Sequence, residues 1–173
     1  VPEVVGVNLT KQLKEGITST DLVLYITKLL RDSKVVGSFI EFCGEGVENL
    51  TVGDRATISN MAPEYGATAV LFPVDKATLN YLSMTGRTEE EIKIVEEYSK
   101  YQNLWRKSKT APEYNRVLDL DLSTIEPCVS GPKNPEDKID LEKFSKEINK
   151  HSKMLYNKDL RDNEFEVPTQ GYK

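Results

Sequence analysis

Apolar and polar positions along the chain alternate between two periods. Val4 to Leu9 is apolar and β-branched and predicts a short strand, followed by a polar loop from Thr10 to Gly16. From Leu22 the apolar residues fall at 22, 26, 29 and 30, the i, i+4, i+7, i+8 spacing of a helix that buries one face, with Thr20 as its N-cap. Val35 to Phe42, rich in β-branched and aromatic residues and closed by Gly44 and Gly46, predicts a second strand. Thr51 and Asp54 stand at capping-box spacing and open a helix that Pro63 ends or kinks, with Gly66 completing the stop. Ala67 to Phe72 is a short apolar run bounded by Gly66 and Pro73, the pattern of a buried strand. Asp75 caps a helix to Met84, and Thr88 with Glu91 caps another that carries Ile92, Val95, Tyr98, Gln102 and Trp105. Arg116 to Leu122 alternates, with Leu118, Leu120 and Leu122 on one face and Asp119 and Asp121 on the other, so a half-exposed strand near a sheet edge is expected. Pro127, Gly131, Pro132 and Pro135 give an irregular loop, and Leu141, Phe144 and Ile148 mark a short final helix. The polar stretch from His151 to Lys173 reads as a linker or frayed tail.

Strands alternating with helices predict an α/β fold, a three-layer αβα sandwich with a mostly parallel sheet, because strand–helix–strand crossovers favour parallel pairing. With 173 residues, 38% hydrophobic and 29% charged, the chain is long enough for one ordinary domain and sits with soluble globular proteins. Its apolar runs fall far short of the ~20 residues of a membrane span, so no membrane contact is expected. A net charge of -5 gives no global basic field, and any RNA contact has to be local. The chain begins at Val1 rather than Met, with no series resembling a signal peptide, as expected of a piece of something longer.

Self-contained metal chemistry is not expected from two cysteines, Cys43 and Cys128, and one histidine, His151. Gly44 and Gly46 follow a strand as in a dinucleotide fingerprint, but Asn49 occupies the third glycine position, so they read as turn residues. Asp119 and Asp121, two apart on one strand face, could bind a cation or be solvated outward residues. His151, at the end of a polar helix, is assigned no catalysis. Asn60 and Glu64, four apart where a helix runs into a buried strand, can project from one face.

The run from Val35 to Arg87 includes Glu41-Phe42, Gly44-Glu45-Gly46-Val47, Asn60-Met61-Ala62-Pro63-Glu64-Tyr65-Gly66-Ala67-Thr68, Phe72-Pro73-Val74-Asp75 and Thr85-Gly86-Arg87. It resembles the aconitase family, with the iron-regulatory and cytosolic branch most similar. Thr18-Ser19-Thr20-Asp21 and Cys128-Val129-Ser130-Gly131-Pro132-Lys133 extend the likeness from Val1 to about Lys138. The resemblance implies that residues 1–138 form the family's second α/β domain and that 139–173 are a short helix and polar linker toward the next. It implies a parent hydro-lyase, aconitate hydratase, that interconverts citrate and isocitrate at a [4Fe-4S] cluster with one open iron. The family's cluster-binding Ser-Cys-Thr-Asn and Cys-x-x-Cys motifs do not occur here, so this piece is expected to bind no cluster and to be inactive without the remaining domains. Asn60 and Glu64 match active-site positions, Asn60 hydrogen-bonding toward the cluster and Glu64 reaching the bound water or substrate hydroxyl. The iron-regulatory branch, when cluster-free, binds stem-loop RNA, and Arg31, Ser130 and Lys138 match segments that touch it. An isopropylmalate or homoaconitate dehydratase is a further alternative. The likeness points to the cytoplasm, with the mitochondrion as the alternative compartment.

Overall fold

The computed structural model describes residues 2–107 and 112–157. The chain runs through β1 (Val4–Thr10), α1 (Ser19–Asp32), β2 (Phe39–Cys43), a 3-10 turn, α2 (Val52–Asn60), the single-turn α3 (Ala62–Tyr65) and β3 (Ala69–Leu71). It continues through α4 (Lys76–Met84), α5 (Glu89–Tyr101), β4 (Arg116–Asp121), β5 (Cys128–Ser130), β6 (Lys138–Asp140) and α6 (Phe144–Tyr156). The first four strands form one sheet in the order β3-β2-β1-β4, with every neighbouring pair parallel. β1 is therefore central, and Val7 sits opposite Phe42 on one side and Leu118 on the other. This is the α/β class with a parallel sheet that the alternation predicts.

Period-two alternation decides which face holds the core. Val5, Val7 and Leu9 of β1 and Ile40 and Phe42 of β2 are wholly buried, against Leu22, Ile26 and Leu30 of α1, Ile58 of α2 and Tyr65 of α3. Each such side chain contributes ~1.5–3 kcal/mol relative to an exposed one. On the opposite face the Tyr114 ring lies on Gly6. A Cβ at Gly6 would stand 2.3 Å from that ring, so only glycine fits there.

Several boundaries differ from the sequence pattern. α1 is capped by Thr18, not Thr20: the Thr18 N–H donates to Asp21 Oδ2 at 2.8 Å, and the Thr18 side chain accepts from the Asp21 N–H. Position 23 is valine, so Thr20 lacks the acid three residues on that Thr18 has. β2 begins four residues late, because Val35–Ser38 forms a turn with Gly37 at φ 81°. β3 is a short edge strand with Leu71 exposed, not a buried one. α5 stops at Tyr101, and Asn103 at φ 59° turns the chain so that Trp105 bridges to Val74. The loop after Pro127 contains a two-stranded antiparallel pair, β5 with β6, and the 138/139 division drawn on the sequence falls inside β6. α6 continues through His151 to Tyr156, while residues 158–173 lie outside the described residues.

Candidate functional site

α2 starts beside the carboxyl end of β2 and runs back to the amino end of the sheet. The Thr51 N–H donates to Asp54 Oδ2 at 2.8 Å, the Asp54 N–H donates to Thr51 Oγ1 at 3.2 Å, and Ser19 donates to the other carboxylate oxygen. Burial pushes the Asp54 carboxyl up, but these bonds from Ser19 and Thr51 outweigh it and hold it below the ordinary carboxylate range. At the far end, Pro63 has no N–H to continue the ladder, so α2 stops at Asn60 and a new turn, α3, begins at Ala62. Asn60 and Glu64 thus belong to two short helical segments joined at Met61, not to one continuous helix face.

Two contacts fix those segments. The Tyr65 hydroxyl, wholly buried, donates to the Ile58 carbonyl at 3.0 Å and ties α3 to α2 across the break. Burial and then the neighbouring Glu64 charge push the Tyr65 phenol up, so it remains a donor at neutral pH. Gly66 ends α3 at φ 80°, where a Cβ would meet Val36 Cγ2 at 3.0 Å. Its carbonyl accepts from the Gly37 N–H at 2.8 Å, and the Thr68 N–H donates to Ser38 O at 2.9 Å. Asn60 and Glu64 therefore sit at the amino edge of the sheet, beside the start of β2. Asn60 is exposed and Glu64 half-buried, and among the described residues Glu64 Oε2 is shut off from solvent with no hydrogen-bond partner. A carboxylate oxygen left in that state is a costly group in a folded chain, and other buried polar atoms, among them Arg55 Nε and Asn149 Oδ1, share it.

Higher up α2, Arg55 is 5% exposed and reaches inward. Its guanidinium donates to both Asp75 oxygens at 3.0 and 2.7 Å, to Val47 O at 3.0 Å and to Pro73 O at 3.4 Å, and lies 5.9 Å from the Phe72 ring. Phe72 in turn stacks on Phe42 at 4.5 Å. This network fastens α2 to the chain leaving β3, and sequence reasoning passed over it. Arg55 stands three residues before core Ile58, a spacing that marks it as inward-facing.

The remaining candidates are occupied otherwise. Arg31 pairs with Glu136 at 3.5 Å, so the end of α1 and the loop carrying Ser130 and Lys138 do come together. Lys138, its side chain 10% exposed, is paired with Asp140 and lies 5.4 Å over the Tyr25 ring, while Ser130 donates to the carbonyls of Asn134 and Pro135. Asp119 accepts from Asn8 at 2.7 Å, and Asp121 is held at about 2 by hydrogen bonds from Lys11 and Ser123. Lys11 to Asp121 and Lys14 to Glu126 join the loops after β1 and β4, the place where an open parallel sheet ordinarily takes a ligand. Those pairs are solvent-exposed, and beside them Asn8, Thr10, Cys43, Phe72 and Trp105 line an open cavity of about 910 Å³ along the carboxyl ends of β1, β2 and β3. Gly44, at φ 90°, lets the backbone pass Leu9 O, as the turn reading expects. Burial pushes both cysteine thiols up, Cys43 on the open sheet face and Cys128 behind Asp21. Among the described residues no group of three or more His, Cys, Asp or Glu could hold a metal, so these side chains do not fit the ligand set of a cluster.

A four-stranded parallel sheet flanked by helices, with the Glu64 carboxylate and the Asn60 carboxamide at its amino edge, defines an α/β layer. The chain belongs to the aconitase family (aconitate hydratase), whose sequence profile matches residues 1–171. It is 48% identical to aconitate hydratase A of Rickettsia felis over 99% of this chain and 20% of that protein. It is 52% identical to aconitate hydratase A of Legionella pneumophila over 86% of this chain and 17% of that protein, and 50% identical to the Streptomyces viridochromogenes protein over 86% and 16%. The chain thus spans about a fifth or less of the length of these relatives.

Proposed function

We propose that this chain is the part of an aconitate hydratase that brings Glu64 and Asn60 to a tricarboxylate site completed by the rest of the parent protein. The observation that carries the reading is the shielded, unpartnered Glu64 Oε2 at the amino edge. Interconverting citrate and isocitrate requires a hydroxyl to leave and return as water, and a carboxylate with a free oxygen can accept and return that proton. Asn60, one helical turn away in sequence, offers an amide N–H and a carbonyl that orient a neighbouring polar group without changing charge. The family implies an iron–sulfur cluster, which residues of the parent outside this chain would hold and which would supply Lewis-acid chemistry there. Tyr65 and Gly66 tie the two segments together on either side of Glu64. An RNA-binding role draws no support from Arg31 and Lys138, whose charges are met by Glu136 and Asp140.

The test is Glu64→Gln in the full-length parent, which keeps size and hydrogen bonding and removes the titratable oxygen. Turnover of isocitrate falls by roughly 10²-fold, whereas Arg31→Ala and Lys138→Ala leave it unchanged. Wild-type turnover by Glu64→Gln overturns the assignment.

A further inference from the structure

The α4–α5 hairpin carries an apolar surface that its own folding does not use. Along α5, Ile92, Val95 and Ser99 turn inward at i, i+3 and i+7, with Ser99 buried and the other two half-buried. A second apolar stripe, Ile94, Tyr98 and Tyr101 at i, i+4 and i+7, is 62%, 60% and 83% exposed. α4 adds Tyr81 and Met84, at 47% and 86%. A surface helix ordinarily has one apolar face, and two aromatic rings and an isoleucine in water on the other side mark an interaction site. Glu90 and Glu97, exposed four residues before and three residues after Ile94, give the stripe an acidic flank.

We propose that the outer stripe of α5 docks a segment of the parent chain that lies outside these 173 residues, apolar at its centre and flanked by Lys or Arg. The proposal rests on the family reading: this chain covers 20% of the length of its Rickettsia felis relative, so about four-fifths of such a parent must pack somewhere. A tethered segment meets the stripe whatever the protein concentration, which favours it over a second copy or a separate protein. The acidic flank selects a basic rim by charge complementarity.

Hydroxyl-radical footprinting of the purified full-length parent, read at Tyr98, Tyr101 and Met84 by mass spectrometry, tests this with native side chains. Oxidation at each in the native protein is expected to be roughly tenfold slower than in urea, as for groups removed from solvent. Rates within about twofold of those in urea overturn the proposal. So does protection that disappears on dilution as a dimer dissociates in parallel sedimentation runs, since the occupant is then a second copy. Replacing both flanking acids, Glu90→Lys with Glu97→Lys, raises oxidation of Tyr98 in the native parent; an unchanged rate removes the basic rim from the proposal. Isocitrate turnover measured on the same samples keeps the two readings apart: protection without turnover sinks the hydro-lyase assignment alone, and turnover without protection sinks the docking surface alone.

Discussion

Replacing Arg55 with methionine tests how α2 is anchored. Methionine keeps most of the aliphatic stem and removes the guanidinium, which makes two bonds to Asp75 and one each to Val47 O and Pro73 O. The Arg55 and Asp75 side chains are 6% and 10% exposed, so water cannot replace what is lost. Asp75 keeps only its capping bonds from the Ala77 and Thr78 N–H groups. Leaving one partner of a buried pair uncompensated costs about 3–5 kcal/mol, far above the ~0–1 kcal/mol of an exposed pair. Asp75→Asn retains a good N-cap residue, so it isolates the charge without the ~1 kcal/mol of a lost cap. In the double variant no charge is stranded, and its loss should fall short of the sum of the two single losses by about 2 kcal/mol. Urea unfolding followed by the fluorescence of Trp105, the single tryptophan, which bridges to Val74 beside Asp75, measures all three. A loss below about 1 kcal/mol for Arg55→Met, with losses that simply add, would refute the view of this pair as the anchor of α2.

Two other measurements bear on the same segment. Gly66→Ala forces a left-handed residue at φ 80° and puts a Cβ 3.0 Å from Val36 Cγ2. It should cost about 1–2 kcal/mol in the same unfolding assay, and a neutral result would show that the turn after Glu64 adapts. Asp21 and Asp54 both titrate below their ordinary range, each raised by burial but lowered more by hydrogen bonds from Thr18 and Cys128 or from Ser19 and Thr51. Their stabilisation is complete above the unfolded-state value near pH 4 and is lost as pH falls through the lower folded values. Asp21→Asn with Asp54→Asn should flatten the acid limb of stability against pH, and an unchanged limb would place the acid sensitivity elsewhere.

What the sequence reveals and what it conceals follow from range. The capping boxes at Thr51 and Thr88 and the cap at Asp75 were readable because each is a local hydrogen-bond exchange within three residues, which at Asp75 also proves reciprocal with Thr78. The alternation of β4 was readable because one face of an edge strand meets water. The strand pair β5–β6 was hidden: three residues per strand leave no periodicity, and its placement comes from the Asp21 carboxylate accepting the Cys128 N–H across 107 positions. The late start of β2 was hidden too, because β-branched Val35 and Val36 look like strand until Gly37 bonds to Gly66. Of the site, Glu64 and Asn60 came from resemblance to a family. Pro63 announced the break between them, but the Tyr65 hydroxyl bond that closes it had no signature beyond a tyrosine next to a glycine.

The central place of β1 has a consequence for how the chain is made. β1 pairs with β2 from about Phe39 onward, but its other edge waits for β4, which begins at Arg116, 106 residues after the last residue of β1. At a synthesis rate of about 5–20 residues per second, the β1 edge stays open for roughly 5–20 s after it emerges. During that interval its unpaired N–H and C=O groups are a template for any extended strand nearby, including β4 of another nascent chain. The two halves of one sheet are thus separated in time on the ribosome, and nascent-chain exchange of β4 is the misassembly this topology invites.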